Sequence, residues 1–439
     1  MPSTTYELIQ ETIHTETLPN GLTIQLIPKP GYSKTYAVFT TRYGSIDNHF
    51  QVDGEPERTV TDGIAHFLEH KLFEEEWGDV FHQFATQGAS ANAFTSHNRT
   101  AYLFSATERV EENLTTLIDF VQRPYLTPEN VEKEKGIIEQ EIRMYDDMPF
   151  WRGYRHLLEG LFQKFPVRID IAGTVESIYQ IDRDQLMTCY TTFYHPSNMV
   201  LCVVGEFDPE RVLALVRENQ AKKTFSPPRA IKRFYVEEPP AVAQRRHEVR
   251  LAVSRPLLLL GWKDRAPVAD RDQLKRELAM SIVQDVLFGR ASELFQELLD
   301  SGLIDDSFSY DYEVGPGYGF SYLGTETDDP EAFQAAIEKA LKAAVATGLS
   351  ATDFERSRRK QLGDYLHSLN SPEALANHVT DVIFKDADFF RIPEMITELT
   401  LDEVNAILRS HYDMEQLAVS VVLPSGEAPE GDEEEAAAA

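Results

Sequence analysis

Residues 66 to 70 read His-Phe-Leu-Glu-His, an H-x-x-E-H, and concentrate the reactive side chains of the chain's first quarter. Two imidazoles four apart on a helix lie on one face and can close on a single cation. Glu69 sits on that face too, one residue before the second imidazole. Ile64, Phe67, Leu68 and Leu72 take the opposite side, as a helix docked on a core requires. Neutral imidazole suits zinc, and a catalytic zinc keeps three protein ligands and one open position. The metal lowers the pKa of water toward neutrality. A nearby carboxylate that is not a ligand can then take the proton.

This order of residues is that of a zinc metalloprotease helix reversed. The plainer reading is a polar helix face with idle histidines. Chance alone puts the pattern in roughly a few per cent of chains this long. A third ligand and a scaffold are therefore needed. Thr127-Pro128-Glu129 marks a helix start, with a capping hydroxyl and a proline at the first position. The helix is expected to run to about Tyr145 and to stop near Pro149. It offers Glu129, Glu132, Glu134, Glu139 and Glu141. Glu134 and Glu141 are two turns apart and share a face, with Ile138 beside it. On residue pattern alone, most such glutamates are solvated charges.

The elements that would position these groups follow from periodicity. After Asn20-Gly21, the residues Leu22, Ile24 and Leu26 alternate as in a half-buried strand. Residues 35–43 predict a second strand and 80–86 a short helix. Residues 88–104 predict two strands around His97-Asn98. Residues 110–121 place Leu114, Leu117, Ile118 and Val121 at helical spacing, and residues 200–205 form an apolar strand. Residues 224–240 carry four prolines and mixed charge, which places a domain boundary there. The expected organisation is a first half over 1–228, a second half over 229–425 and an acidic, low-complexity, disordered tail over 426–439.

Composition narrows the function classes. The chain has 439 residues, 72 acids against 42 bases and a formal net charge of −30. That disfavours nucleic acid and anionic membranes as partners, both of which call for basic patches. Cys189 and Cys202 are too few for a disulfide framework. The first residues lack the apolar region of a secretory signal, and no run is long enough to span a bilayer. The expected location is the cytoplasm.

The sequence also repeats. Residues 181–204 lie over 399–422 without a gap. Asp184 meets Asp402, Tyr194 meets Tyr412, and Val203-Val204 meets Val421-Val422. Such self-similarity predicts two halves of one fold, each an α+β layer. Aligning Leu287-Phe288 with Leu72-Phe73 puts Ser281, Gln284 and Asp285 where the first half has His66, Glu69 and His70. The second half lacks the metal motif.

HFLEH, NAFT at 92–95 and EKGIIEQEI at 134–142 together resemble the pitrilysin family of inverted-zincin metallopeptidases, which includes insulin-degrading enzyme and mitochondrial processing peptidase. The likeness extends over both halves, to about residue 425, and is strongest to short bacterial members. It implies two homologous α+β halves, each a mostly antiparallel sheet with helices on one face, enclosing a chamber. It implies one Zn2+ per chain on His66, His70 and Glu141, with Glu69 as the base and Glu134 supporting the site. It also implies that Asn92, Ala93, Phe94 and Thr95 form a strand to which a peptide substrate adds by its backbone. The expected activity is endopeptidase cleavage of small proteins or unfolded peptides. The alternative is a non-catalytic binding or assembly subunit of the same fold.

The second half departs from the family pattern. Where relatives place an arginine and a tyrosine toward the substrate, this chain has Leu299 and Asp305. The resemblance then implies a heterodimer with a sister chain that supplies both groups. A self-sufficient monomer or homodimer would need Tyr310 or Tyr312 to substitute.

Overall fold

In the computed structural model, which describes residues 3–7 and 9–426, the repeat appears as two sheets of one topology. The first contains β1 (Ser3–Tyr6), β2 (Glu11–Thr17), β3 (Thr23–Pro28), β4 (Thr35–Thr41), β5 (Ala89–Thr95), β6 (Thr100–Ala106) and β7 (Met199–Gly205). Its order is β1-β2-β3-β7-β4-β6-β5. The helices that matter most in the first half of the chain are α1 (Ile64–Leu72), α2 (Pro128–Asp147), α3 (Pro149–Leu161) and α4 (Arg183–Phe193). The second sheet contains β8 (Arg246–Leu251), β9 (Leu257–Lys263), β10 (Ser309–Gly315), β11 (Tyr318–Glu326) and β12 (Leu417–Pro424), in the order β8-β12-β9-β11-β10. With it come α5 (Asp270–Phe288), α6 (Ala351–Ser368), α7 (Pro372–Phe384) and α8 (Leu401–His411).

The second sheet is the first without β1 and β2. In each, the strand that closes the repeat runs parallel to one neighbour and antiparallel to the other: β7 between β3 and β4, β12 between β8 and β9. All other pairings in the two sheets are antiparallel. The repeated segments match in detail. Asp182 caps α4 by accepting from Gln185 N–H, and Thr400 caps α8 by accepting from Glu403 N–H. A short 3-10 turn then leads into β7 or β12. Each cap satisfies a helix-end donor and contributes about 1 kcal/mol.

The compact units do not follow the halves of the sequence. One unit is made of 1–142, 170–235 and 362–394, the other of 143–169, 236–361 and 395–439. The proline-rich stretch at 224–240 contains the handover at 235/236. Beyond that, each half gives a helix away: α3 packs on β9 and β12, and α7 on β4 and β7. The consequence shows in burial, since β4, β7 and β9 are buried along their whole length. One face of the first sheet, with Ala37, Phe39, Leu201 and Val203, belongs to the main core. The other is covered by α7, whose Asn377 donates to the Tyr36 hydroxyl. In the second unit, α3 lies so close to β9 that a side chain at Gly261 would meet Leu157 at 2.9 Å. The helices on one face of each sheet are thus joined by a borrowed helix on the other.

Other expectations find their counterparts. Leu22, Ile24 and Leu26 are fully buried, and the strands at 88–104 are β5 and β6. The acidic stretch from 427 onward, expected to be disordered, lies outside the described residues. Among those described, no helix is long and apolar enough to cross a membrane.

Candidate metal centre

Helix α1 starts at Gly63, which has a left-handed backbone (φ 88°) and no side-chain cap. A side chain there would lie 2.4 Å from the carbonyl oxygen of Ala172, and one at Gly173 would lie 2.7 Å from that of Asp62. The segment 172–177 is therefore pressed against the helix start. Ser177 fastens it by donating to the Asp62 carbonyl at 2.9 Å. Ile64, Phe67, Leu68 and Leu72 are buried in the first unit's core. That burial fixes the rotation of the helix and turns His66 and His70 the other way. His70 and Lys71 occupy the last turn, where the helix dipole favours positive charge.

Helix α2 supplies the facing wall. Thr127 Oγ accepts from Asn130 N–H, as its capping role predicts. Val131, Ile138 and Ile142 are buried and orient the helix. Glu134 and Glu141 then face α1, while Glu129 and Glu132 are exposed. Glu139 turns to the hydroxyl of Tyr179 at 2.6 Å.

The outcome is a cluster of three donors. His66 Nε2 lies 3.6 Å from one oxygen of Glu141, and His70 Nε2 lies 3.2 Å from the other. Ligand atoms of the three residues all fall within 4.8 Å of one another. Two ligands at 2.0–2.1 Å from a tetrahedral ion are about 3.3 Å apart, so the spacing fits zinc. The chemistry of the set fits as well, with two imidazoles meeting one carboxylate through the nitrogens that usually ligate. His70 Nδ1 lies 3.1 Å from Glu134 Oε1, the outer hydrogen bond that orients a ligating imidazole.

Glu69 stands apart from these contacts. It is buried, and Thr95, at the end of edge strand β5, donates its hydroxyl to Glu69 Oε2 at 2.6 Å. Burial pushes the Glu69 carboxyl above the usual carboxylate range, and the nearby imidazoles and the Thr95 hydrogen bond only partly oppose it. Glu141 goes the other way: burial would raise it, but the two imidazoles hold it well below the ordinary range. In Glu134 the bond to His70 and the Lys71 charge outweigh burial and lower its pKa. Burial lowers the pKa of His70, yet Glu134 and Glu141 together raise it to about 10. The two carboxylates therefore favour the protonated form of His70.

The other expected residues separate. Ala93 and Phe94 lie in β5, at the open edge of the first sheet. Asn92 is exposed, and its side chain turns back to accept from Ala93 N–H at 2.9 Å. Thr95 ends that strand, and its side chain touches Glu69. Leu299 is exposed, and Asp305 is paired with Arg255 at 2.6 Å. Tyr312 is engaged: its hydroxyl donates to Asp264 at 2.6 Å. Lys71 was not singled out by sequence, yet it is fully buried against Glu134. A lysine among core positions of an amphipathic helix is the signal that could have marked it.

Comparison with known proteins matches this geometry to a family. The profile of Insulinase (Peptidase family M16) matches residues 55–175, the span that holds His66, Glu69, His70, Thr95, Glu134 and Glu141. That of the Peptidase M16 inactive domain matches 180–361. The uncharacterized zinc protease YmfH of Bacillus subtilis is 48% identical over 421 residues, covering 95% of this chain and 98% of that protein. The chain belongs to the M16 peptidase family. Within it, the likeness is to short, pitrilysin-like bacterial members. The crystal structure of an M16-like protein from Alicyclobacillus acidocaldarius is 43% identical and superposes with a TM-score of 0.92, over 94% of this chain and 99% of its own. A Helicobacter pylori protease, 18% identical, shares the M16 fold with a TM-score of 0.81 over 94% of this chain and 99% of its own.

Proposed function

We propose that this M16 chain is a zinc-dependent endopeptidase for unfolded peptides or small proteins. The observation that carries the reading is the convergence of His66, His70 and Glu141, with Glu69 held beside them by Thr95. A zinc ion on those three residues would supply a Lewis acid that acidifies water and polarises the scissile carbonyl. Glu69 takes the proton of the attacking water. Its raised pKa then lets it pass that proton to the leaving amine, so one carboxyl serves both steps. Thr95 aims one Glu69 oxygen and leaves the other for the proton. The open edge of β5, Asn92 to Thr95, receives the peptide as an added strand.

The same reading extends to a partner. Near a developing oxyanion, Leu299 offers no charge, and Asp305 is an anion already paired with Arg255. Tyr312 has its hydroxyl on Asp264. The arrangement favours a heterodimer with a sister chain of the same fold that brings the arginine and tyrosine. Losing one donor to an oxyanion costs on the order of 2.7–4 kcal/mol of barrier. A homodimer remains the competing assembly.

The test is purification without chelator, metal analysis and cleavage of unstructured peptides, alone and with candidate sister chains. About one zinc per chain, with cleavage greatly enhanced by the partner, is expected. Zinc-loaded protein that cleaves nothing under either condition would leave the non-catalytic reading. Full activity of the isolated chain would remove the sister chain.

A further inference from the structure

Lys71 follows the second histidine of the cluster, and none of its side chain reaches solvent. Zinc chemistry does not call for a lysine there. Burying an ammonium costs several kcal/mol unless it is paired and hydrogen-bonded. Its partners therefore indicate its use. Nζ donates to Glu74, just past the end of α1, and lies 3.4 Å from Oε2 of Glu134. The other oxygen of Glu134 is the one 3.1 Å from His70 Nδ1. His70 Nε2 in turn faces Glu141. Glu74, Lys71, Glu134 and His70 thus make a line of contacts that ends on the three-donor cluster.

We propose that Lys71 is a positioning residue for the metal centre. By holding Oε2 of Glu134, it presents Oε1 to His70 Nδ1 and so pins the imidazole with Nε2 toward the ion. The terminal torsion of a glutamate is broad and two-fold, so an unanchored carboxylate would not select one orientation. Lys71 also lies between two carboxylates, Glu74 and Glu134, so its ammonium fixes the second against the first. A purely structural lysine would need no contact with the residue that orients a ligand. The inference rests on the zinc reading but not on peptidase activity.

The experiment measures zinc affinity by chelator competition, without substrate, in wild type, Lys71→Met, Glu134→Gln, the double variant and Lys71→Arg. Lys71→Met and Glu134→Gln should each weaken zinc 10–100-fold, as changes behind a metal ligand do. The double variant should be no weaker than Glu134→Gln alone, because both residues act by one route. It also removes both members of the buried pair and leaves only Glu74, which reaches solvent, so it covers the case in which Lys71→Met fails to fold. Lys71→Arg should recover most of the affinity. Losses that multiply in the double variant, or wild-type affinity in Lys71→Met, would overturn the proposal. Tight zinc binding by a wild-type chain that cleaves no peptide would sink the peptidase reading and leave this one standing. A wild-type chain that takes up no zinc would sink both.

Discussion

Helices α1 and α5 hold equivalent places in the two sheets, each lying against the edge strand of its own sheet, and they meet their neighbours with opposite chemistry. Across from α1, helix α2 offers Glu134 and Glu141 to two histidines. Across from α5, helix α6 offers Lys360 and Gln361. Lys360 pairs with Asp285 at 3.0 Å, and Gln361 donates to Ser281 at 2.7 Å. Gln284, the counterpart of Glu69, donates to the backbone carbonyl of Asp311 on edge strand β10 at 2.8 Å. Glu69 instead accepts from the side chain of Thr95 on edge strand β5. On α5, cation meets anion and donor meets acceptor, so the cluster is complete as it stands. On α1, two imidazoles and a carboxylate turn their ligating atoms to one point, bridged without metal by the N–H groups of His70, and a cation could take the place of that proton. The scaffold is common to both; the residues that face the helix set the candidate metal centre apart.

The largest expected effect breaks that contrast at one residue. His70→Ala should abolish zinc binding and cleavage, because it removes a ligand and the end of the Glu134 contact. Asp285→Ala, at the corresponding place on α5, should leave zinc content at wild-type level. Loss of zinc in both variants would show that the second cluster is not independent of the first. Next is Glu69→Gln, which should keep the metal and lower kcat 10²–10⁴-fold, the usual worth of a general base. Full activity in that variant would take the role from Glu69.

Titration sharpens the comparison further. In the metal-free protein, Glu134 and Glu141 raise His70 to about 10. Its protonated form is therefore favoured below that pH, and a ligand must be deprotonated to bind. Zinc affinity should rise about tenfold per pH unit through the neutral range, and binding at pH 7 should release a proton. Calorimetry in buffers of different ionisation enthalpy reads this directly. A pH-independent affinity between 6 and 9 would mean that His70 is neutral beforehand.

The wider lesson concerns which features a sequence can carry. The metal helix, the capped α2 and the repeat were legible because each is a local pattern: a spacing, a hydroxyl before Pro128, a constant offset. The exchange of α3 and α7 was not. An amphipathic helix records that it has an apolar face and not which sheet the face will cover. Strands β1 and β2 also escaped the reading. Their one buried hydrophobic residue, Ile13, is too little for a period of two to show. Glu141 was separable from its neighbouring glutamates only by family likeness, since Glu134 shares its face. Thr95 and Lys71 act through residues distant in sequence, so their types alone could not assign them.

Thr95 gives the next effect in size. A hydrogen bond to a charged group contributes about 1.5–3 kcal/mol. Thr95→Val should therefore lower kcat roughly 10–100-fold with zinc content unchanged, and Thr95→Ser should restore most of it. An unchanged rate in Thr95→Val would mean that Glu69 is aimed by other contacts.

The smallest effect is expected where the second unit imitates the first. Lys360 is the cation that faces Asp285, but 55% of its side chain is exposed. Solvent screens such a pair, and exposed ion pairs contribute about 0–1 kcal/mol. Lys360→Met should lower stability by no more than that, measured by urea unfolding, and should alter neither zinc content nor cleavage. Its counterpart on α2 is the region of Glu141, where Glu141→Gln should weaken zinc strongly and reduce the rate with it. The two substitutions change one charge each, on equivalent helices facing equivalent partners. If Lys360→Met cost several kcal/mol or reduced zinc, the second cluster would be a support of the metal centre and not the self-satisfied end of the repeat.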